Sequence, residues 1–471
     1  MIGKADILAR AGEWQLRPDV VEKDYVLGWL LAGIATHPET NTQWVFKGGT
    51  CLKKCFFETY RFSEDLDFSL LPGATYTAAD LARVLREVAE GTEELSGVGF
   101  PVTEITVRER NNLQGRPTFE AKVGYRGPLA IPSSPKVRLD ITRHEPVLDG
   151  VARRAVFHSF PDALPPETMV GTYTIDELFA EKVRALLERT RPRDLYDIVF
   201  ILENQPGDLN LFRVRELLLK KCGVKRIPAP SAGSLLDTVR GSAELRTEWG
   251  NMLAHQLPKL PPIDAYLTRA EGLFGWIDRP EAAPAALDGI PIPAGQEIVA
   301  AAGIQYWGSG SHIEAIRFAG TNRLKIQFTY KGSRRITEPY SLRRAVGTGN
   351  LLLYAWEDGE THIKAFDVNR MSEVRATGMP FTPRYRVEFA SSGQANAASA
   401  VPVSHRSPAP RRLSPSGAQQ LRRHGPIYIY ECSRCRKQFR HSRRNSAIRP
   451  HNDPSGHRCL GRHGRYVETR T

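Results

Sequence analysis

Residues 47–70 read KGGTCLKKCFFETYRFSEDLDFSL, with a glycine pair followed by two aspartates, Asp65 and Asp67, that are one residue apart. On a β-strand alternate side chains share a face, so both carboxylates project the same way while Leu66 and Phe68 enter the core. Two carboxylates so placed repel unless a cation sits between them. Mg²⁺ suits that position, being a hard ion usually held by one or two carboxylates plus substrate phosphates. Gly48 and Gly49, at a strand-to-helix turn, let a phosphate approach the backbone where helix N-terminal amides face it. These features together describe a site for a metal nucleotide. Asp140 in KVRLDIT, again strand-like and flanked by Leu139 and Ile141, offers a third carboxylate. It would help hold a second ion and activate an acceptor hydroxyl. Arg61 and Ser63 either steady the strand or touch the nucleotide, and Glu64, on the face opposite the aspartates, has no evident role. Cys51 and Cys55 have no His or further Cys nearby and read as small core residues.

The elements that must position these groups are legible in outline. Residues 13–36 read as one helix, with Val20, Val21, Tyr25, Leu27 and Leu31 near one face. TQWVFKGGT reads as a strand ending at the glycines, a helix is expected from Thr50, and RFSEDLDFSL returns as strand. FEAKVGYR and PKVRLDITR are further strands. TIDELFAEKVRALLERT is helical, with Thr174 and Glu177 at capping-box spacing. Pro192 ends it, and RDLYDIVFILE begins another helix. Lys182 has a solvated-face reading beside Glu181, Arg184, Glu188 and Arg189, and Asp194 could simply cap its helix.

VEKDYVLGWLL, FKGGTCLKK followed by RFSEDLDF, and ELFAEKVRALLERTRPRDLYDI together resemble the AbiEii/AbiGii toxin family of nucleotidyltransferases, over about residues 1–270. The resemblance implies an α+β fold: a DNA polymerase β type core with a helical C-terminal half. It implies that Asp65 and Asp67 bind metal and that Gly48, Gly49 and Thr50 hold the triphosphate; Lys47 and Ser63 are further candidate nucleotide-binding residues beside them. It further implies that Lys182 contacts phosphate and that Asp194 or Asp197 completes the site. Fifteen residues separate Gly49 from Asp65, longer than the common polymerase β spacing. The activity implied is Mg²⁺-dependent transfer of NMP from an NTP, through two ions, to an RNA acceptor, with the 3′ end of tRNA favoured. A type IV toxin–antitoxin or abortive-infection (phage-defence) setting, with a cognate antitoxin, is implied too. Transfer to a small-molecule or protein hydroxyl, or a non-catalytic nucleic-acid-binding regulator on a degenerate scaffold, are the rival readings; the intact set of acids argues against the last.

At 471 residues the chain exceeds one ordinary core, and about three domains are expected. The nucleotidyltransferase domain is assigned to 1–275 and a Pro/Ala-rich linker to 276–295. Strand-like runs, EAIRFAG among them, place a small β domain at 296–390. It resembles a WYL domain, an SH3-like fold, through RRITEPYSLR and FDVNRM, although the named Trp-Tyr-Leu triplet is absent. That resemblance implies nucleotide or single-stranded nucleic-acid binding by Arg335, Tyr340, Arg343 and Arg370, an arginine fork for phosphate and a tyrosine face for a base. A disordered Ser/Ala/Pro linker is expected at 391–425 and a basic module, zinc-ribbon-like, at 426–471.

Residues 404–471 carry 16 Lys or Arg against three acids, while the rest of the chain is balanced at 49 of each. A neutral body with a basic tail fits nucleic-acid binding by counterion release. Cys432 and Cys435 form a Cys-x2-Cys knuckle, Cys459 is the third ligand, and His451 is chosen as the fourth for structural Zn²⁺, with His441 and His457 as rivals. Six cysteines in a chain this long are too sparse for a disulfide framework. There is no apolar run of about 18 residues, so no membrane span is expected. The N-terminus lacks the order of a secretory leader, which predicts a cytoplasmic protein.

Overall fold

The computed structural model describes residues 1–111, 117–204, 208–282, 287–291, 296–298, 312–345, 348–389, 427–432, 434–441, 446–448, 451–453, 458–459, 461 and 463–470. They fall into two compact units, 1–401 and 402–471.

The first unit opens with α1 (Lys4–Trp14) and α2 (Pro18–Thr36), not one helix from residue 13. Gln15 closes α1 in the left-handed region, φ 54°, and Pro18 starts α2, where its missing N–H costs nothing. From Val20 to Ala35 only Lys23 escapes burial. The buried acids of this internal helix therefore need partners: Asp24 pairs with Lys54 at 2.7 Å, and Glu22 accepts the Leu129 N–H at 2.5 Å.

After α3 (Pro38–Gln43), β1 (Trp44–Lys47) turns at Gly48 into α4 (Gly48–Cys51), which widens into a π-turn over Leu52–Phe56. That helix begins two residues before the expected Thr50. Cys51 and Cys55 are buried in the core beneath it. β2 (Asp65–Leu70) and α5 (Ala78–Ser96) follow, then β3 (Ile105–Asn111), β4 (Pro117–Gly124), β5 (Lys136–Thr142), β6 (Ala152–Ala155) and β7 (Met169–Thr172). The sheet order is β3-β4-β5-β2-β1-β7-β6. β2 runs antiparallel to β1 and parallel to β5, which sets Asp67 opposite Lys47 on one side and Asp140 on the other. Val137, Leu139 and Ile141 of β5 are buried on one face, and the residues between them point to the other.

Thr174 caps α6 (Ile175–Arg189) by accepting the Glu177 N–H at 3.2 Å. The reciprocal half of the expected capping box is missing. The buried Glu177 carboxylate instead accepts the Leu148 and Asp149 N–H groups at 3.0 and 2.9 Å and pairs with Lys221 at 2.9 Å, tying the loop after β5 to the helices. α7 (Pro192–Asn204), α8 (Leu211–Lys225), α9 (Ala232–Gly241), α10 (Ala243–Leu253) and α11 (Ile263–Leu273) complete the helical half. Trp276 and Ile277, expected to open a linker, are buried, with Trp276 5.3 Å from the Phe179 ring.

Then come β8 (Gln296–Ile298), α12 (Ile313–Thr321), β9 (Leu324–Tyr330), β10 (Ser333–Ala345), β11 (Leu351–Glu357), β12 (Lys364–Asp367) and β13 (Met371–Pro380). EAIRFAG is thus helix α12, not strand, since its apolar residues pack on β9 and β13 at helical spacing. The sheet order is β12-β11-β10-β9-β13, with β8 pairing the far end of β10. Pro339 cannot donate to a ladder, and a register shift against β11 sits beside it; β10 pairs β9 before this point and β8 after it. The β region shares a core with the helical half. Tyr196 Oη donates to Asn322 Oδ1 at 2.7 Å, and Arg323 Nη2 donates to the Glu203 carbonyl at 2.6 Å.

The second unit holds β14 (Ile427–Cys432), β15 (Gln438–His441), β16 (His451–Asn452), β17 (Arg458–Cys459) and β18 (Gly464–Arg470), in sheets β15-β14-β18 and β16-β17. Its buried apolar cluster is Cys432, Ile448 and Cys459, with Cys435 and Phe439 against it. The expected linker 391–425 and His457 lie outside the described residues, as does the side chain of His441. Among the described residues no helix is long and apolar enough to cross a membrane.

Candidate active site and a Cys/His cluster

A cavity of about 430 Å³ opens above the charged face of the first sheet. Its floor is β2 and β5, with Asp65, Asp67 and Asp140; its near wall is Lys47, Gly48, Gly49 and Ser63; its far wall is α6 and the start of α7, with Lys182 and Asp194. Register explains the floor. The row Lys47, Asp67, Asp140 crosses three adjacent strands, and Asp65 faces Arg138 one step along. Neighbouring strands lie about 4.8 Å apart, so the carboxylates crowd. The Asp67 carboxyl is pushed up to about 7, first by burial and then by Asp140 and Asp65, against the pull of Lys47 and Lys182. Burial likewise raises Asp65, with Asp140 and Glu64 adding to it. Neither carboxylate has an ion pair within the described residues. Crowded, unpaired oxygen donors on the floor of this cavity are the donor set a divalent ion takes.

The glycines are fixed by space. Gly48 has φ 81°, and a Cβ there would overlap the Asp67 carboxylate. A Cβ on Gly49 would come within 2.6 Å of Arg61 Nη2. Lys47 is buried against Glu145, which it contacts directly, and lies 3.7 Å from Glu181; both carboxylates line the cavity. Burial alone would lower the Lys47 ammonium, but these two acids hold it well above its ordinary value.

On the far wall Lys182 reaches Asp197 at 2.7 Å and Asp194 at 3.4 Å. Burial would raise Asp194, but Lys182 and Arg189, the latter at 2.8 Å, outweigh it and hold the carboxyl low. Asp194 faces the cavity; Asp197 does not. Asp197 is fully buried and receives Arg61 Nε at 2.6 Å, Arg61 Nη2 at 2.8 Å, and Tyr60 Oη. These partners overcome burial and hold it far below the carboxylate range. Of the two alternatives on α7, Asp194 is the one that lines the cavity, while Asp197 pairs with Arg61 and Lys182. Thr50 is buried, with its hydroxyl donating to the Asp65 carbonyl. Glu64 acquires partners, Lys23 at 3.1 Å and His255 at 3.3 Å.

Several cavity residues were missed by sequence reasoning: Arg138, Glu145, Arg189 and Arg193. Two carried a readable signal. Arg138 lies two residues before Asp140 on the same strand face, and Arg189 lies seven beyond Lys182 on the same helix face. Arg193, lowered first by burial and then by Arg61 beside it, had none.

The four residues expected to bind ligand on the β region diverge. Tyr340 is fully buried, donates to Glu338 at 2.8 Å and accepts the Arg384 N–H at 3.1 Å, so it offers no face to a base. Arg343 is buried in a 2.7 Å pair with Glu388. Arg335 pairs with Glu357 at 2.9 Å, and Arg370 is exposed.

In the second unit Cys432, Cys435, His451 and Cys459 converge, with their ligand atoms within 4.8 Å of one another. Cys435 Sγ lies 3.1 Å from His451 Nε2, and Cys432 Sγ lies 3.8 Å from Cys459 Sγ. Burial pushes the Cys432 thiol up, yet N–H groups of Cys435 and Arg434 bring it down to about 6, favouring the thiolate a metal takes. Gly461 donates its N–H to Cys459 Sγ at 3.4 Å, and a Cβ there would overlap Cys432 Sγ.

A mixed sheet bearing three carboxylates on adjacent strands, next to a glycine turn and under a basic helical wall, is the arrangement of a phosphoryl- or nucleotidyl-transfer site. The family described as nucleotidyl transferase AbiEii toxin, type IV toxin–antitoxin system, matches residues 29–269. The chain belongs to that family and is a nucleotidyltransferase. Among solved structures, MenT4, a nucleotidyltransferase toxin from Mycobacterium tuberculosis H37Rv, aligns at 22% identity and TM-score 0.37, covering 60% of this chain and 94% of that one. No curated protein matches the chain.

Proposed function

We propose that the chain transfers NMP from a Mg²⁺-bound NTP to an RNA hydroxyl, the 3′ end of tRNA being the favoured acceptor, as a toxin of a type IV toxin–antitoxin or abortive-infection system restrained by a cognate antitoxin. The observation that carries this reading is the unpaired Asp65/Asp67 couple with Asp140 in register beside it. Asp65 and Asp67 hold the metal, and Asp140 takes the proton of the attacking hydroxyl. That oxygen bonds to the α-phosphorus as the bond to pyrophosphate breaks. The bound ions supply charge neutralisation at the transferring phosphoryl group. Gly48 and Gly49 admit the triphosphate, Lys47 and Ser63 flank it, and Lys182, Arg189 and Asp194 shape the wall it rests on.

The β region is read as WYL-like, with Arg335 and Arg370 as its nucleic-acid or nucleotide contacts, since Tyr340 and Arg343 are taken up internally. Cys432, Cys435, His451 and Cys459 hold structural Zn²⁺, and the basic residues around them bind nucleic acid. Purified protein incubated with each α-labelled NTP, Mg²⁺ and total RNA is expected to label RNA, and the label should vanish in Asp65→Ala and Asp67→Ala. Label on a protein or small molecule alone, or no transfer with RNA binding intact, overturns the RNA reading.

A further inference from the structure

The floor of the active site does not end at Asp140. Beyond β5 the sheet continues into β4 and β3, and the register carries the charged face outward. Asp67 and Asp140 continue to Glu120 and Arg108; Asp65 and Arg138 continue to Lys122. The other face of these strands is the core, with Phe119, Ala121 and Val123 buried. The open face therefore presents Arg108, Arg110, Lys122 and Arg138, all exposed. One buried carboxylate, Glu120, gathers three of them: Arg110 at 3.2 Å, Arg138 at 3.3 Å and Lys122 at 3.6 Å. Arg138 also reaches Asp140 at 3.1 Å, so two acids, Glu120 and Asp140, stand against four exposed cations and leave the strip net positive.

The cavity's two sides are unlike. Toward β1 it is closed by α6 and α7: Lys47 lies 3.7 Å from Glu181 of α6, and Lys182, Arg189 and Arg193 of these helices line the cavity. Toward β4 and β3 the sheet face is open. In an in-line displacement the entering oxygen and the leaving pyrophosphate lie on opposite sides of the α-phosphorus. With the triphosphate under the helical wall, the acceptor must arrive from the open side, over the basic strip.

We infer that the exposed face of β5, β4 and β3 is the track for the acceptor's sugar–phosphate backbone, with Arg108, Arg110, Lys122 and Arg138 as its phosphate contacts. The three strands span two strand spacings, about 10 Å, room for two or three nucleotides at about 3.4 Å each. The described residues of this face include no aromatic side chain. The track therefore holds phosphates without stacking bases, and it accepts a single-stranded tail with little regard to sequence.

This rests on the RNA-acceptor reading, and the test separates the two. In the full chain, Arg108→Glu with Arg110→Glu is compared with the parent at several salt concentrations, with single-stranded oligoribonucleotides of differing sequence as acceptor. The variant should raise the acceptor KM at least tenfold while the NTP KM stays within about twofold. Losing two single-strand phosphate contacts, at about 0.7 each, should flatten the slope of log KM against log salt by about 1.4. The milder pair Arg108→Gln and Arg110→Gln should move both quantities the same way by less, and melting curves check that each variant is folded. A parent active on RNA but a variant with unmoved acceptor KM and slope overturns the track alone. A parent that labels no RNA removes the acceptor reading and the track with it.

Discussion

Asp197→Asn separates a residue that builds the site from one that reacts in it. The Asp197 carboxylate is fully buried and neutralises Arg61, itself almost wholly inaccessible, through two bonds of 2.6 and 2.8 Å, while also taking Lys182 at 2.7 Å. The amide removes the charge and leaves Arg61 buried beside donors it cannot satisfy. Breaking a buried pair from one side costs about 3–5 kcal/mol. At a few degrees per kcal/mol the melting temperature should fall by about 6 °C or more. Because the folded carboxyl titrates below its ordinary range, its contribution is complete above the unfolded pKa and is lost only as pH falls through the folded value. The parent–variant gap should therefore be full at neutral pH and close only in strong acid. Well below its melting point, the variant should keep transfer within about tenfold, since Asp65, Asp67, Asp140 and Asp194 still line the cavity. Thermal unfolding and initial-rate assays decide the matter. An unmoved melting temperature with transfer abolished would refute the structural assignment and return Asp197 to the chemistry.

Asp67→Asn should do the reverse, abolishing transfer while stabilising the metal-free fold. A carboxyl raised from 3.8 to about 7 penalises folding progressively as pH climbs between those values. The ceiling is about 4 kcal/mol at about 1.4 kcal/mol per pH unit, and water in the cavity reduces the expected gain to about 1–2 kcal/mol above pH 7. Melting in EDTA should show the gain, and added Mg²⁺ should stabilise the parent but not the variant. Gly48→Ala places a Cβ on the Asp67 carboxylate at φ 81°, and displacing that ligand should cost about 100-fold in rate with folding largely retained. Cys435→Ser, or chelation, should remove one equivalent of zinc measured by a colorimetric metal assay. It should also expose residues 427–470 to protease while the melting of the first unit is unchanged.

The parts of the site that sequence reasoning located are those fixed by short-range geometry. Alternation along a strand decides that Asp65 and Asp67 share a face, and a glycine pair between strand and helix marks a tight turn whatever lies beyond. Cys432, Cys435 and Cys459 are the only cysteines in the last 40 residues, so their convergence with a histidine was readable, although the choice of His451 over His441 and His457 was not fixed by spacing. The parts that escaped depend on long-range choices. Nothing local to RDLYDI says which aspartate faces a cavity; that is set by Tyr60 and Arg61, 136 or more residues away, claiming Asp197. Glu145 became a wall residue through Lys47, 98 positions distant. EAIRFAG has apolar residues compatible with either period, and packing on β9 and β13 chose the helix.

The same long-range logic accounts for the β region. The family match ends at residue 269, yet the core does not. On α7, Tyr196 and Asp197 are neighbours that point to different clients. Asp197 holds Lys182 and Arg61, whereas Tyr196 donates to Asn322 at the end of α12, which Tyr266 also reaches at 3.2 Å. Arg323 adds a bond to the last turn of α7 through the Glu203 carbonyl. A buried polar cluster of this kind costs stability if any member is left unmatched, so the contact is made in one geometry or not at all. The helix that holds Lys182 is therefore positioned in part by residues outside the segment the family match covers. A chain truncated after residue 275 would lose Asn322 from both tyrosines and expose a face of α7 that is buried in the whole protein.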